Sequence, residues 1–436
     1  MAARGGLKVF DAVASSMRRL HLRHALRSFG AAAAVGREPL LFTPGPLTTS
    51  AAVKQAMLVD YGSRDNLFLE AVQNVRNGLL RAAGTSKEKG FECVIVQGAG
   101  TMGIESVLGS VIPRSGKVLV VINGAYGKRQ LEICRYLNIA TDSVSYSDLH
   151  VISVEDVLKK LRSDPSFTHV STIHHETTSG ILNPIEELAK KLKVEFPSVD
   201  LIVDSMSGFG AYELRMDWGV DFAVSSSNKC IEGVPGFSYA LCKRSALEKA
   251  AGNGRSFSMD LHAQWKGLET TGQFRFTPPT HAILAFQQAL LEWEAEGGHA
   301  GRLARYQANY ETIAKGMEEM GFTYYVADDT RSHLIITFVM PTDPKFVFQT
   351  FYDQLAGDGF VIYPGKTAEG ESFRFGTIGR LFPRDCEMLL AAVRRSCAAM
   401  GVSLPLQVRK TAPKTKTADA RVAAVLERVR ARSLTL

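Results

Sequence analysis

One lysine stands where a solvated side chain has little reason to be. In SSSNKCIEGVPGF, residues 225–237, Lys229 follows three serines and precedes the turn-forming Gly233, Pro235 and Gly236. The runs on either side, DFAVSSS and FSYALCK, have the apolar density of buried strands. Lysine is ordinarily a surface residue. Here it is either an exposed loop lysine or an amine held at a strand end, where it can condense with a carbonyl group. Asp204 closes another apolar run, DLIVD. It is either a turn residue or a carboxylate facing a cationic ring nitrogen.

Gly98-Ala99-Gly100-Thr101-Met102-Gly103 fits G-x-G-x-x-G. Such a turn presents backbone N–H groups to a phosphate at the start of a helix. A dinucleotide site would also need an acidic residue about 20 positions on, at the end of the next strand. That strand ends in Asn123-Gly124, which disfavours an NAD-dependent oxidoreductase. The sequence has no G-x-x-x-x-G-K-[ST], which disfavours kinase and ATPase chemistry. His174, His175 and Glu176 suggest metal ligands, but successive strand residues face opposite ways. Hydrogen-bonding roles are expected for them, and no metal site.

Regular elements must bring these residues together. Apolar, β-branched runs recur at 93–97, 117–122, 169–173, 200–204, 221–225 and 238–242. Between most of them lie segments of helical pattern: MGIESVLGSV, KRQLEICRYL, VEDVLKKLR and NPIEELAKKLKVEF. The alternation predicts an α/β fold with a mainly parallel sheet covered on both faces. Ligands in such sheets bind beyond the carboxyl ends of the strands. QGAGT, NGAYG, HHETTSG, DSMSGFG and SSSNK are therefore expected to share one crevice. From about residue 300 a long helical stretch leads to LIITFVM, GFVIYPGK, FRFGTIG and a final helix at 383–400. The expected organisation is a large ligand-binding domain over 37–300, with 37–55 contacting the small domain, and a smaller α+β domain over 301–406.

The chain has 436 residues, 45% of them hydrophobic, and a net charge of +7. The ends hold the basic excess: residues 1–36 carry +5 and residues 407–436 carry +6, which leaves the body near −4. A nucleic-acid-binding face on the body is not supported, and no apolar run approaches the length of a membrane span. The six cysteines form no C-x-x-C pair and suit a reducing compartment. Residues 1–36, rich in Arg, Ala, Ser and Leu, read as a transit peptide. That implies a mitochondrial enzyme, or a cytoplasmic one if the leader is not a transit peptide. The 407–436 segment reads as a basic linker followed by a short helix.

A carbonyl-reactive lysine, an acid for a pyridinium and an anion cradle in one crevice are the protein parts that pyridoxal 5′-phosphate needs. Tyr126, in a neighbouring loop, is placed to stack on its ring. The sequence resembles the 2-aminoethylphosphonate:pyruvate aminotransferases, class V members of the fold-type I pyridoxal-phosphate enzymes. The resemblance spans about Leu40 to Met400 and is carried by LFTPGPLTTS, QGAGTMGIESVLGS, NGAYGKR, HHETTSGILNPIEEL, IVDSMSGFG, NKCIEGVPGF, DLHAQW and FRFGTIG.

The resemblance implies a homodimer with a shared active site and transfer of the amino group of 2-aminoethylphosphonate to pyruvate. It implies that Lys229 bonds the cofactor, Asp204 holds the pyridine nitrogen and Tyr126 stacks on the ring. Ala99, Gly100 and Thr101 would hold the phosphate, and Thr178, with or without Thr177, would sit near the ring oxygen or phosphate. Arg275 and Thr277 would reach the phosphate in the partner subunit, and Arg374 would bind the pyruvate carboxylate. The chain departs from the family at Ala99, where Ser is usual, at Arg64, where Trp is usual, and at Pro278, where Ser is common. The nearest rival is a class V alanine– or serine–glyoxylate aminotransferase. A non-enzymatic scaffold leaves the five polar loops unexplained.

Overall fold

The computed structural model describes residues 38–326, 330–365 and 372–407. The expected leader and the tail helix lie outside the described residues. Seven strands form the main sheet: β1 (Phe91–Gln97), β2 (Lys117–Ile122), β3 (Ala140–Ser145), β4 (Phe167–Ile173), β5 (Asp200–Asp204), β6 (Phe222–Ser226) and β7 (Phe237–Lys243). Their order is β1-β7-β6-β5-β4-β2-β3. β7 runs antiparallel to both its neighbours, and the other pairs are parallel. In β2, KVLVVI is buried except at Lys117, as a parallel strand covered on both faces must be. Burial of Val118, Leu119 and Val120, all fully enclosed, contributes about 1.5–3 kcal/mol each.

The helix Asn66–Ala82 packs on β1, Gly100–Val111 on β1, β6 and β7, and Ala125–Tyr136 on β2, β3 and β4. β3 is the strand that hydrophobicity does not reveal. Its sequence, ATDSVS, is polar because it forms a sheet edge and is at most half-buried.

A second core forms around Phe338, Phe351, Phe373, Phe375, Leu389 and Val393. It belongs to an antiparallel sheet of Ile335–Val339, Ser372–Gly376 and Tyr363–Pro364, with the helices Phe348–Gly357 and Pro383–Ala399. The N-terminal residues Leu40–Leu41 pair with Phe360–Val361, and Phe42 is buried in this second core. A small third cluster, with Leu47, Cys230, Tyr306, Leu334 and Ile378, ties the turn after Lys229 to the second unit. No helix among the described residues is long and apolar enough to cross a membrane.

β1, β2, β4, β5 and β6 are parallel, so their carboxyl ends share one edge of the sheet. The five loops noted in the sequence all leave from that edge.

Candidate active site

Lys229 follows β6 on this edge. Its Nζ donates to the Pro44 carbonyl at 2.6 Å. Gly45 makes that approach possible: its φ is +122°, and a Cβ there would fall 2.6 Å from Nζ. The residue is half-buried and lines a cavity. Burial lowers the Lys229 pKa to about 8, against an opposing pull from Asp204.

The cavity, about 170 Å³, is lined by Thr101, Tyr126, Asp204, Met206, Asn228 and Lys229, among others. A larger open depression of about 480 Å³, over Glu38, Lys54 and Gln55, includes none of the strand-end loops and offers no comparable chemistry.

Asp204, at the end of β5, is 5% exposed. Its Oδ1 accepts from the Met206 N–H at 2.9 Å and its Oδ2 from Gln130 Nε2 at 3.3 Å. Burial pushes its pKa up to about 6. A cation opposite this carboxylate would offset the cost of burial and draw the pKa back down.

Across the crevice, the helix Gly100–Val111 begins after Ala99, which has no side chain to cap it. Its first N–H groups thus keep the positive end of the helix dipole open to an anion. Gly98 precedes the turn with φ +104°, a conformation that L side chains rarely adopt. The Thr101 hydroxyl accepts from Arg129 Nη1 at 3.3 Å, and the Arg129 guanidinium lies 5.0 Å from the centre of the Tyr126 ring.

Glu176 is buried beneath these loops. Its Oε1 accepts from the Thr178 N–H at 2.9 Å and the Thr178 hydroxyl at 2.5 Å. Burial holds its pKa up at about 7. The Thr178 oxygen also accepts from the Ala125 N–H at 3.2 Å, one residue before Tyr126. His174 bonds Ser205 at 2.8 Å, and His175 bonds Ser207 and Ser332 at 2.7 and 2.6 Å. Burial lowers both histidines, to about 4 and about 3, so they are neutral hydrogen-bonding groups.

Arg374 enters from the small sheet and is 2% exposed. Its Nη1 donates to the Thr177 carbonyl at 3.0 Å and its Nη2 to the Pro364 carbonyl at 3.2 Å. Its Nε has no partner, and no carboxylate among the described residues lies at ion-pair distance. Burial lowers its pKa, and its charge acts on both Tyr126 and Lys229. The charge of the buried Glu176 acts on it from a distance, but with no carboxylate in contact its free Nε remains available to an anion.

Arg275 and Thr277 are not brought to the cavity of their own chain. Arg275 Nη1 donates to the Phe257 carbonyl at 2.9 Å, and the exposed Thr277 accepts from Gln97.

Sequence reasoning missed Arg129 and Gln130. The signal was available: they lie three and four residues after Tyr126, on the same face of a helix. Asn123, where a dinucleotide site would want an acid, bonds the His150 carbonyl and Asn183 instead.

A desolvated amine, a carboxylate short of a cation and an uncapped helix start line one cavity. They fit pyridoxal 5′-phosphate and define a fold-type I aminotransferase. The chain belongs to the class-V aminotransferase family, which it matches over residues 58–353; its cofactor is pyridoxal phosphate. It is 44% identical to a 2-aminoethylphosphonate–pyruvate transaminase of Vibrio vulnificus, over 82% of this chain and 98% of that one. It is 44% identical to the enzyme of the same name from Rhizobium meliloti, over 84% of this chain and 95% of that one. Among solved structures, ureidoglycine–glyoxylate aminotransferase from Bacillus subtilis superposes with a TM-score of 0.76 at 20% identity, covering 84% of this chain and 95% of that one. The mitochondrial location expected from residues 1–36 is corrected here. The relatives the chain matches are bacterial enzymes, which give no support to a mitochondrial leader.

Proposed function

We propose that the protein transfers the amino group of 2-aminoethylphosphonate to pyruvate, yielding phosphonoacetaldehyde and L-alanine in two half-reactions. The observation that carries this is the lowered Lys229 amine, on one cavity with Asp204, together with the buried Arg374, whose charge acts on Lys229 and whose Nε is free. The donor and acceptor are those for which its relatives are named. The glyoxylate-dependent rival has no comparable support.

Pyridoxal phosphate, when bound, supplies the aldehyde that takes up the amino group and the ring that withdraws electrons from the neighbouring carbon. In this reading Lys229 would hold the cofactor and, once the incoming substrate amine has displaced it, Lys229 Nζ would be the neutral amine that takes and returns the proton of the amine-bearing carbon. A pKa near 8 puts a useful fraction of that amine in the neutral form at ordinary pH. Asp204 would hold the proton on the ring nitrogen through its charge, with Gln130 donating to its carboxylate. Tyr126 and Met206, on the cavity wall, would flank the ring. The N–H groups after Ala99, with the Thr101 hydroxyl, receive the phosphate, and Thr178 supports the loop near the ring. Arg374 takes the pyruvate carboxylate in a planar, bidentate contact.

Arg275 and Thr277 serve the partner's site in a homodimer. The exposed apolar side chains Leu58, Leu67, Phe257 and Phe276 support such an interface.

The test is an absorption spectrum of the purified protein with bound cofactor. Bleaching of the yellow band by 2-aminoethylphosphonate, and its return with pyruvate, is expected. A band that ignores the phosphonate but bleaches with alanine or serine would move the protein to the glyoxylate-dependent enzymes.

A further inference from the structure

Glu232 lies three residues beyond Lys229 and is not part of the cavity wall. It is 3% exposed, and its φ is +67°, an uncommon conformation for any residue but glycine. Among the described residues Asn138 alone of the other non-glycines has a positive φ. It lies just past the end of a helix, where asparagine is often found. A strained conformation persists where its surroundings over-determine it, and such residues cluster at functional sites.

The surroundings of Glu232 are specific. Its N–H donates to the Lys229 carbonyl at 2.6 Å, closing the turn that carries the lysine. Its Oε1 accepts from Tyr306 Oη at 2.6 Å and Arg305 Nη2 at 2.8 Å, with Arg302 Nη1 at 3.4 Å. Arg302 Nη1 also donates to the Cys230 carbonyl. All three donors stand on the helix Gly298–Glu319.

The same helix holds the small sheet. Arg305 Nη1 donates to the Gly379 and Leu381 carbonyls. Asn309 Nδ2 donates to the Thr377 and Leu381 carbonyls, each at 3.0 Å. Tyr306 Oη accepts from the Gly379 N–H at 3.4 Å. These backbone groups directly follow Ser372–Gly376, the strand that carries Arg374. One hydroxyl, that of Tyr306, therefore bonds both the turn after Lys229 and the segment after Arg374.

We propose that Glu232 is a positioning residue: its carboxylate, held by Tyr306 and Arg305, locks the Lys229 turn to the Arg374 strand and so sets the spacing between amine and guanidinium. The inference rests on the roles proposed above for those two residues. A keto acid anchored by its carboxylate has its carbonyl placed by that spacing, and a misplacement of about 1 Å costs on the order of 10²-fold in rate.

Glu232→Gly removes the carboxylate, relieves the left-handed backbone and leaves Arg302 and Arg305 paired with Glu296, at 2.7 and 2.6 Å. Glu232→Gln keeps an oxygen acceptor in the same place. Both are measured as holoenzymes, by the induced circular dichroism of the bound cofactor relative to its absorbance and by the KM and kcat for pyruvate. In Glu232→Gly the dichroism is expected to change and kcat/KM for pyruvate to fall about 10- to 100-fold. Glu232→Gln is expected to restore both. Tyr306→Phe, which removes one donor, should move both readouts in the same direction by less.

Wild-type dichroism and kinetics in Glu232→Gly overturn the proposal. So does a Glu232→Gln variant as impaired as Glu232→Gly, because charge rather than position would then be at work. If Glu232→Gly does not fold, Tyr306→Phe decides, and an unchanged Tyr306→Phe enzyme overturns the proposal. A wild-type band that ignores both substrates would sink the substrate reading instead and leave the dichroism comparison intact.

Discussion

The enclosed amine of Lys229 makes a quantitative claim about the cofactor-free protein. Its pKa falls from 10.5 to about 8. Between those values the unfolded chain binds a proton that the folded protein releases. Stability attributable to this residue therefore rises with pH through that window. At about 1.4 kcal/mol per unit the shift is worth about 3 kcal/mol, and the residual surface toward the cavity reduces the expected effect to about 2 kcal/mol. Lys229→Met removes the titration and keeps an apolar side chain of similar length. Loss of the bond to the Pro44 carbonyl is largely independent of pH and cancels when two pH values are compared.

The assay is urea unfolding of both cofactor-free proteins near pH 7 and near pH 10. Wild type is expected to gain about 2 kcal/mol on Lys229→Met across that interval. A difference that stays flat refutes the claim that the amine is desolvated. The variant is also expected to lack transamination, and retained turnover would remove Lys229 from the chemistry altogether.

Other substitutions test other groups. Arg374→Lys keeps the charge but loses the planar fork; KM for pyruvate should rise on the order of 10- to 100-fold, and an unchanged KM would show that the carboxylate binds elsewhere. Asp204→Asn should lower kcat by about 10²-fold or more, read in steady-state assays. Because the Asp204 pKa is raised to about 6, its folded form holds a proton that the unfolded chain releases. Its contribution is full below about pH 4 and is lost as pH rises through about 6, so cofactor-free wild type should lose stability relative to Asp204→Asn over that range. A constant difference between the two would contradict the burial. Gly45→Ala forces a side chain onto φ +122° and against Lys229 Nζ, costing about 1–3 kcal/mol of stability. It should also slow the appearance of the yellow band when pyridoxal phosphate is added. Unchanged unfolding and reconstitution would show that the segment can move away from the lysine.

The sequence by itself determined the alternation of buried strands and helices, because periodicity and burial are local properties of the chain. It marked the five strand-end loops, and parallel strands necessarily place such loops on one edge. It also counted against a dinucleotide site through Asn123, whose side chain is occupied by Asn183 and the His150 backbone. It did not reveal β3, since an edge strand can be polar and leaves no hydrophobic signal.

Tertiary structure alone decided what each reactive group touches. Lys229 meets the Pro44 carbonyl across 185 residues of sequence, and Arg374 meets the Thr177 carbonyl across 197. The bond between Glu232 and Tyr306 spans 74. No local pattern encodes such separations. They arise when two cores pack against each other and enclose the groups between them, and that enclosure is what lowers the pKa of both Lys229 and Arg374.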